Sequence, residues 1–555
     1  MMTVGGGAAA GVTSTRPDGV EATTAQVNPA RVKRVWRIRP SLPIVEQIPV
    51  RVVDVERRRM AALAETLQRG DPALAAGGAP GAASGGGRVR PGVGDGPALI
   101  FEDHGEIPLF TTAAPSPLEY RSLLLAEDGD VFALAGQRVA DFEAYARDGL
   151  RLGDVDVLTR PEGAARGTGG VPPTTAAGAA TSSALPDALR RDPAAMARLV
   201  RLARERGSLT VIPYLSTAAA WRLAGAVAEE AGVEVSVLGP PPALAARVND
   251  KAWFSRRVAE VLGPDAIPET GWAADALELT TALQILAKRH RRLVVKMPDS
   301  AGGIGNVVLD SAVVAGLDHD RLLAHVWRQT GRAGRGWTFP LLVGAWDDPI
   351  VESPSVQLWV PPSGDGLPVV EGVFSQVLKG ARGTFVGAAP TWLPPEWQER
   401  LAGEAVRLAL LFQELGYIGR CSFDAVLAGD DLDSAAVHWV DANGRWGGVS
   451  IALTAANRLV GDWQRRPFVI VQRSGLHMLP RPLPDVLDEI GPQLFRPSDG
   501  RTGAVVLAPC RLIEGSGMNL MVLAGDVAAA EADAEAVKAR LLGALEEDGG
   551  VSAVA

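Results

Sequence analysis

The chain has 555 residues, 47% of them hydrophobic, with a formal net charge of -9 and a pI near 5.4. That length predicts several cores and excludes a chain disordered throughout. The acidic balance argues against a protein that coats nucleic acid or anionic membrane and points to small-molecule partners. Two cysteines, Cys421 and Cys510, are too few for a disulfide framework and have no metal-ligand spacing. No apolar run reaches the roughly 18 to 20 residues of a membrane span and the N-terminus is not signal-like, so a cytoplasmic protein is expected.

In chain order, residues 1–40 are rich in Gly, Ala, Thr and Pro without periodicity, which predicts a disordered tail. Two similar stretches, Ala75 to Gly96 and Glu162 to Pro186, are expected to be mobile insertions. Around them "PALIFED", "RSLLLA" and "SLTVIPYLS", then the helical "TAAAWRLAGAVAEEAG" and the strand "VEVSVLG", alternate as βαβ units do. Such alternation predicts an open, mainly parallel sheet over 41–245.

"VNDKAWFSRRVAEVLG" then reads as a helix capped by Asn249 or Asp250. Lys251 falls in its first turn, where the helix dipole disfavours a cation, and the plain expectation is a solvated lysine beside Asp250. From "TALQILAKRH" onward the order is helix, strand Leu293 to Lys296, glycine loop, strand Val307 to Leu309, with the basic "KRHRR" read as a solvated end. "FPLLVGAW", "SPSVQLWV" and "PVVEGVFSQVL" are strand-like, "PEWQERLAGEAVRLALLFQELG" is an amphipathic helix, and "GRCSFDAVLA" and "AAVHWVDANGR" are two more strands. A further domain over 246–480 and a small α+β unit over 481–555 complete the predicted organisation.

Six lysines stand against 49 arginines, so a retained lysine draws notice. Lys296 ends an apolar strand just before "SAGGIG" (Ser300 to Gly305), where a buried charge needs an anionic partner. Asp299 is the local candidate; a phosphate is the other, since glycine loops let backbone N–H groups reach phosphate oxygens. The loop fits neither the P-loop nor the dinucleotide-binding spacing, and alone it could be a hairpin turn.

The second constellation is Asp424 on one strand and Asp441, Asn443 and Arg445 on the next, joined by "AGDDLDSA". A hairpin would bring Asp424 to Asp441, with Asn443 on the same face two residues on. Oxygen ligands of this kind suit Mg²⁺, whereas zinc would want His or Cys. A surface salt-bridge set and a glycosidase carboxylate pair are the competing readings. Cys421 reads as a packed strand residue.

Taken in order, Lys251, "VVKMPDSAGGIGN", "GYIGRCSFDAVL" and "VDANGRWGG" resemble the ATP-grasp superfamily over about Val248 to Arg458. The resemblance implies an α/β and α+β multidomain chain: an ATP-grasp domain of two lobes, the open-sheet domain as the pre-ATP-grasp domain, and the C-terminal α+β unit. It further implies that Lys251 and Lys296 hold ATP phosphates, that Ser300, Gly302, Gly303 and Gly305 belong to a phosphate lid, and that Asp424, Asp441 and Asn443 ligate Mg²⁺, or Mn²⁺ in its place. "LLVGAW", with Leu342, is the corresponding hinge, and Glu352 the candidate ribose or adenine contact. Asp-Ala-Asn stands here where the family has Glu-x-Asn, and the acid that usually follows the hinge strand is absent.

Within that superfamily the long N-terminal domain, the "NDK" helix and the extra C-terminal unit resemble the pheganomycin-type peptide ligases. The expected activity is ATP-dependent joining of a small-molecule carboxylate to an amine or peptide, with Arg445 and Lys296 as catalytic groups. A small-molecule kinase and a non-catalytic nucleotide-binding protein are the alternatives, and homodimer formation is left open.

Overall fold

The computed structural model describes residues 35–75, 87–107, 116–160, 184–300, 303, 305–330, 337–380, 383–500 and 502–543. Residues 1–34 of the expected tail lie outside that set, but the tail's end is ordered: β1 (Val35–Arg39) pairs antiparallel with β2 (Leu42–Val45). Ile38, Leu42 and Ile44 bury their side chains there, and Arg39 forms a buried ion pair with Asp130, 91 residues on. That partner is what holds so short a strand.

The next sheet is wholly parallel. Its strands are β3 (Arg88–Pro91), β4 (Ala98–Phe101), β5 (Val131–Leu134), β6 (Asp156–Thr159), β7 (Ser208–Pro213) and β8 (Glu234–Val237), in the order β3-β8-β7-β4-β5-β6. β3 lies inside the stretch expected to be a mobile insertion; pairing with β8 orders it. Both faces are covered, so β4 and β5 are continuous apolar runs. Leu99 and Phe101 face helices Pro193–Arg206 and Ala218–Ala231, while Ala98 and Ile100 face a second core. "RSLLLA" is no strand of this sheet: Glu119–Leu125 is a buried 3₁₀ segment padding that second face.

An antiparallel sheet follows, built from β9 (Thr270–Ala273), β10 (Arg292–Lys296), β11 (Asn306–Asp310) and β12 (Leu341–Ala345), in the order β11-β10-β12-β9. Alternation decides its faces. Leu293 and Val295 enter a core with helices Ala276–Leu286 and His319–Gln329, whereas Val294 and Lys296 line the opposite face.

The largest sheet contains β13 (Ile350–Glu352), β14 (Pro354–Val360), β15 (Val369–Lys379), β16 (Thr384–Pro390), β17 (Gly419–Ala428), β18 (Ala436–Asn443), β19 (Phe468–Ser474), β20 (Gly503–Val506) and β21 (Gly517–Leu523). They run β13-β17-β14-β15-β16-β19-β21-β20, with β18 on β17. Leu401, Ala405, Leu408 and Phe412 form one stripe of helix Pro395–Glu414 and pack on it with helix Lys251–Leu262. The expected C-terminal unit is continuous with this sheet, because β19 pairs with β16 on one side and β21 on the other. The β16 contact needs Gly387, where a Cβ would stand 2.3 Å from the Ile470 carbonyl oxygen.

Helix Gly448–Val460 ties this sheet to the parallel one. Arg458 donates through Nη1 to the carbonyls of Leu124 (3.1 Å) and Ala126 (2.6 Å), and through Nη2 to that of Leu152 (3.1 Å). Burial pulls its pKa down to about 10, so the charge is kept at a desolvation cost that these carbonyls offset. Arg458→Met keeps the packing stem and leaves the carbonyls without this donor. It is expected to lower stability by about 2 kcal/mol, read as a lower urea midpoint by tryptophan fluorescence; an unchanged midpoint would show that the tie contributes nothing.

Candidate active site

Lys296 pairs across the four-stranded sheet with Leu342 on β12 and Asn306 on β11. Its sheet neighbours on the cleft face, Val294, Leu342, Gly344 and Asn306, include no acid. Among the described residues it makes no hydrogen bond or ion pair, and Asp299, its nearest acid in sequence, is exposed. Burial pushes the Lys296 ammonium down to about 8, and Lys251 pushes the same way against Asp441 and Asp347. The strand thus holds a cation that lacks an anion.

Lys251 is not solvated as its helix position suggested. Asp250 caps the helix, accepting from the N–H groups of Ala252 (2.9 Å) and Trp253 (2.8 Å), and the Lys251 side chain turns inward, 7% exposed. Its Nζ lies 3.2 Å from Asp441 Oδ2 and donates to the carbonyl of Ser300. A carboxylate from another element outweighs the helix dipole here.

The two acids meet in register: Asp424 on β17 is directly opposite Asp441 on β18, and Ser422 is opposite Asn443. Asp424 accepts from Ser355 Oγ at 2.6 Å and Asn443 Nδ2 at 2.9 Å. Burial and then the Asp441 charge raise its pKa to about 6. Arg445 pairs with no acid among the described residues; it donates to Asn443 Oδ1 at 2.6 Å and to Asn249 Oδ1. Two carboxylates and an amide, with no cluster of three His, Cys, Asp or Glu among the described residues, fit Mg²⁺ better than zinc, since Mg²⁺ takes one or two carboxylates and fills its shell with water and phosphate. The raised Asp424 pKa is the electrostatic deficit that such a cation would relieve.

In the glycine loop Gly302 lies outside the described residues. Ser300 is buried and donates from Oγ to the Met297 carbonyl at 2.8 Å. Gly303 has φ +74°, and a Cβ at Gly305 would collide with Ser300 Oγ at 1.9 Å. Leu342 faces the recess beside Lys251 and Lys296. Glu352 does not: it is 9% exposed and accepts from Ser353 N–H and Ser375 Oγ, both at 2.7 Å. Ala345, Trp346 and Asp347, just past Leu342, line the cavity instead.

That cavity is about 480 Å³ and collects Lys251, Lys296, Asp424, Asp441, Asn443 and Arg445. Several of its residues were not legible beforehand. Ser355 and Gln357 reach it from β14, linked by a 2.9 Å hydrogen bond. Asn249 orients Arg445 and accepts from Gly444 N–H at 3.1 Å. His104, Arg121 and Tyr214 line it from the parallel sheet's loops and Arg511 from the C-terminal part. The "ND" before Lys251 was the single local signal, read as a cap and as part of the "NDK" helix, with no contact to Arg445 implied.

Residues 119–229 match the family model described as the pre-ATP-grasp domain. The architecture is mixed α/β, a parallel sheet whose later part carries that match followed by antiparallel sheets. No curated protein matches the chain. Among solved structures it is similar to the biotin carboxylase domain of Hydrogenobacter thermophilus 2-oxoglutarate carboxylase, in complex with MgADP, ADP and bicarbonate (13% identity, TM-score 0.46, 79% of this chain and 88% of that one). Others are biotin carboxylase from Campylobacter jejuni (13%, 0.47, 79% and 90%) and N5-carboxyaminoimidazole ribonucleotide synthetase from Thermus thermophilus (14%, 0.44, 77% and 96%).

The Asp424 site is testable without any ligand. A carboxyl whose folded pKa is about 6 against an ordinary 3.8 favours the folded state only while protonated, fully below pH 4, and loses that contribution as pH rises through 6. Asp424→Asn keeps both contacts if its amide turns to accept from Asn443 and donate to Ser355. Above pH 6 in EDTA it is expected to be more stable than wild type by about 1–2 kcal/mol, with the difference vanishing near pH 4; equal thermal midpoints at pH 7.5 would contradict the assigned shift.

Proposed function

We propose that the protein is an ATP-dependent carboxylate–amine ligase of the ATP-grasp kind, joining a small-molecule acid to an amine or peptide through an acyl phosphate. The observation that carries this reading is a cation without an anion, Lys296, facing the same cavity as two opposed carboxylates, Asp424 and Asp441, of which only Asp441 has a cation, Lys251. A nucleotide polyphosphate with a divalent ion supplies both missing charges. The pre-ATP-grasp match at 119–229 supports the same reading. Finer parts of the proposal are a pheganomycin-type peptide ligase of a natural-product pathway, a cytoplasmic location, and a division near residues 245 and 480.

Asp424, Asp441 and Asn443 would hold Mg²⁺, which when bound neutralises charge on the phosphates and orients them. Asn443 would have to turn its oxygen from Arg445 to take part. Lys296 would meet the γ-phosphoryl oxygens as a carboxylate oxygen bonds to phosphorus and the bond to ADP breaks. Lys251, fixed by Asp441, would hold a second phosphate position and the Ser300 end of the loop. Arg445, held by two amides and carrying an uncompensated charge, would orient the carboxylate and then stabilise the oxyanion when the amine attacks. The amine loses its proton and inorganic phosphate leaves, so no enzyme nucleophile is required. Cys421 is buried, with its thiol pKa raised by burial, and takes no part.

Incubation with ATP, Mg²⁺ and mixed amino acids or short peptides tests the reading. Amide product with ADP supports a ligase; a phosphorylated product would make it a kinase, and intact ATP a non-catalytic binder. Lys296→Ala is expected to abolish ADP formation with circular dichroism unchanged, and Asp424→Asn and Asp441→Asn each to raise the Mg²⁺ requirement sharply. In the wild type, affinity for a non-hydrolysable ATP analogue should fall as pH rises past about 8, where Lys296 loses its charge. Lys296→Met should bind weakly with no such step, by calorimetry between pH 7 and 9.5.

A further inference from the structure

The ligase reaction takes a proton from the amine, and a group on the cavity wall has to receive it. Most protonatable side chains there have other work. Lys251 and Asp441 hold each other, Asp347 is bonded to His438, and Asp424 and Lys296 are committed in that reading to the metal and the phosphate. The arginines of the wall stay protonated. Among the described residues the wall carries one histidine, His104, and imidazole is the side chain that ordinarily changes charge near neutral pH.

The parallel sheet places His104. β4 ends at Phe101 and its neighbour β7 at Pro213, with those two residues side by side. Glu102, His104 and Tyr214 therefore leave the carboxyl end of the sheet, the end at which open α/β sheets bind ligands. Glu102 is buried, and its carboxylate takes His104 Nε2 at 2.9 Å together with Nε (3.3 Å) and Nη2 of Arg121. Burial raises the Glu102 pKa, but Arg121 and His104 outweigh it and leave the carboxyl below its usual range. A carboxylate only accepts, so Nε2 carries the proton and Nδ1 is the basic nitrogen of the neutral ring. The ring lies against Tyr214, with 4.8 Å between centroids, and the Tyr214 hydroxyl is bonded to Arg121. Glu102, Arg121 and Tyr214 are thus the titratable groups that face the imidazole among the described residues, from the end of β4, the 3₁₀ segment and the end of β7.

Tyr214 also connects this group to the reaction centre. Its carbonyl accepts from Trp446 N–H at 3.0 Å, and Trp446 directly follows Arg445. The end of β7 thus supports the histidine through its ring and the Arg445 loop through its carbonyl. We propose that His104 is the catalytic residue that takes the proton from the amine, oriented by Glu102 and set on the same wall as Arg445. The inference rests on the ligase reading and adds to it the group that moves the proton. The substrate ammonium gives one proton to Nδ1, and the freed amine forms the C–N bond. As the acyl C–O bond to phosphate breaks, the nitrogen's surplus proton leaves with the phosphate; the imidazolium then passes its proton to water.

The test assays the full chain with ATP, Mg²⁺ and mixed amino acids and short peptides, with and without hydroxylamine. Hydroxylamine is already neutral at pH 7, needs no base, and traps an acyl phosphate as the hydroxamate. Wild type is compared with His104→Gln, and with His104→Asn if circular dichroism shows the first variant misfolded; both amides keep a donor for Glu102. Amide formation at pH 7 is expected to fall about 100-fold in the variant, with hydroxamate formation within about twofold of wild type. The wild-type amide rate should rise and level off between about pH 6 and 8, whereas the variant's keeps rising beyond that range as free amine accumulates. Unchanged amide formation in the variant, or loss of amide and hydroxamate together, overturns the role of His104 and leaves the ligase reading, because wild type makes both products. A wild type that makes neither product sinks the ligase reading and the role of His104 with it.

Discussion

The Lys251 ammonium lies between the Asp441 carboxylate and the Ser300 carbonyl, and much of the cavity depends on that contact. It joins the start of a helix, the end of β18 and the entry to the glycine loop, three places far apart in the sequence. A lysine this buried survives only with a partner, and its partner is one of two carboxylates set opposite each other across a hairpin. Half of the charge pair is thereby satisfied from within the protein. What is left over is Asp424, driven toward its protonated form, and Lys296, driven toward its neutral one. Both groups line one cavity, and burial makes the charged form of each expensive.

The same logic orders the rest of the wall. Amide and hydroxyl groups, Asn249, Asn443, Ser355 and Gln357, hold the charged side chains without neutralising them. An acid in place of Asn249 would cancel Arg445 outright. Neutral positioning keeps the charge available to a ligand at full strength, at the cost of burying it partly unpaired.

What was readable in advance follows range. Lys296 was legible because an apolar strand, one charge and a glycine run sit in sixteen consecutive residues; Asp424, Asp441 and Asn443 because a short loop makes their strands neighbours. Parallel-sheet strands were legible as apolar runs, except β3, hidden in a glycine-rich stretch, and β1, held by Arg39 and a distant Asp130. Lys251 was picked out by the order of the motifs and not by its own helix, which considered alone has a dipole but no Asp441. Glu352 was a candidate contact, and the structure gives it local partners, the N–H of Ser353 and the hydroxyl of Ser375. Arg121 and Arg511 had no local pattern at all, since they line one cavity from distant parts of the chain.

The four-stranded sheet that carries Lys296 has a hydrophobic cluster of its own, from Leu279, Leu283, Leu293 and Val295 to Leu322 and Val326, distinct from the clusters beneath Asp424 and Asp441. A part with a private core can swing as a body without exposing apolar surface elsewhere. The Lys296 ammonium is therefore mounted on one packed body and the Asp424 and Asp441 carboxylates on another, and the cavity lies between two separately supported surfaces.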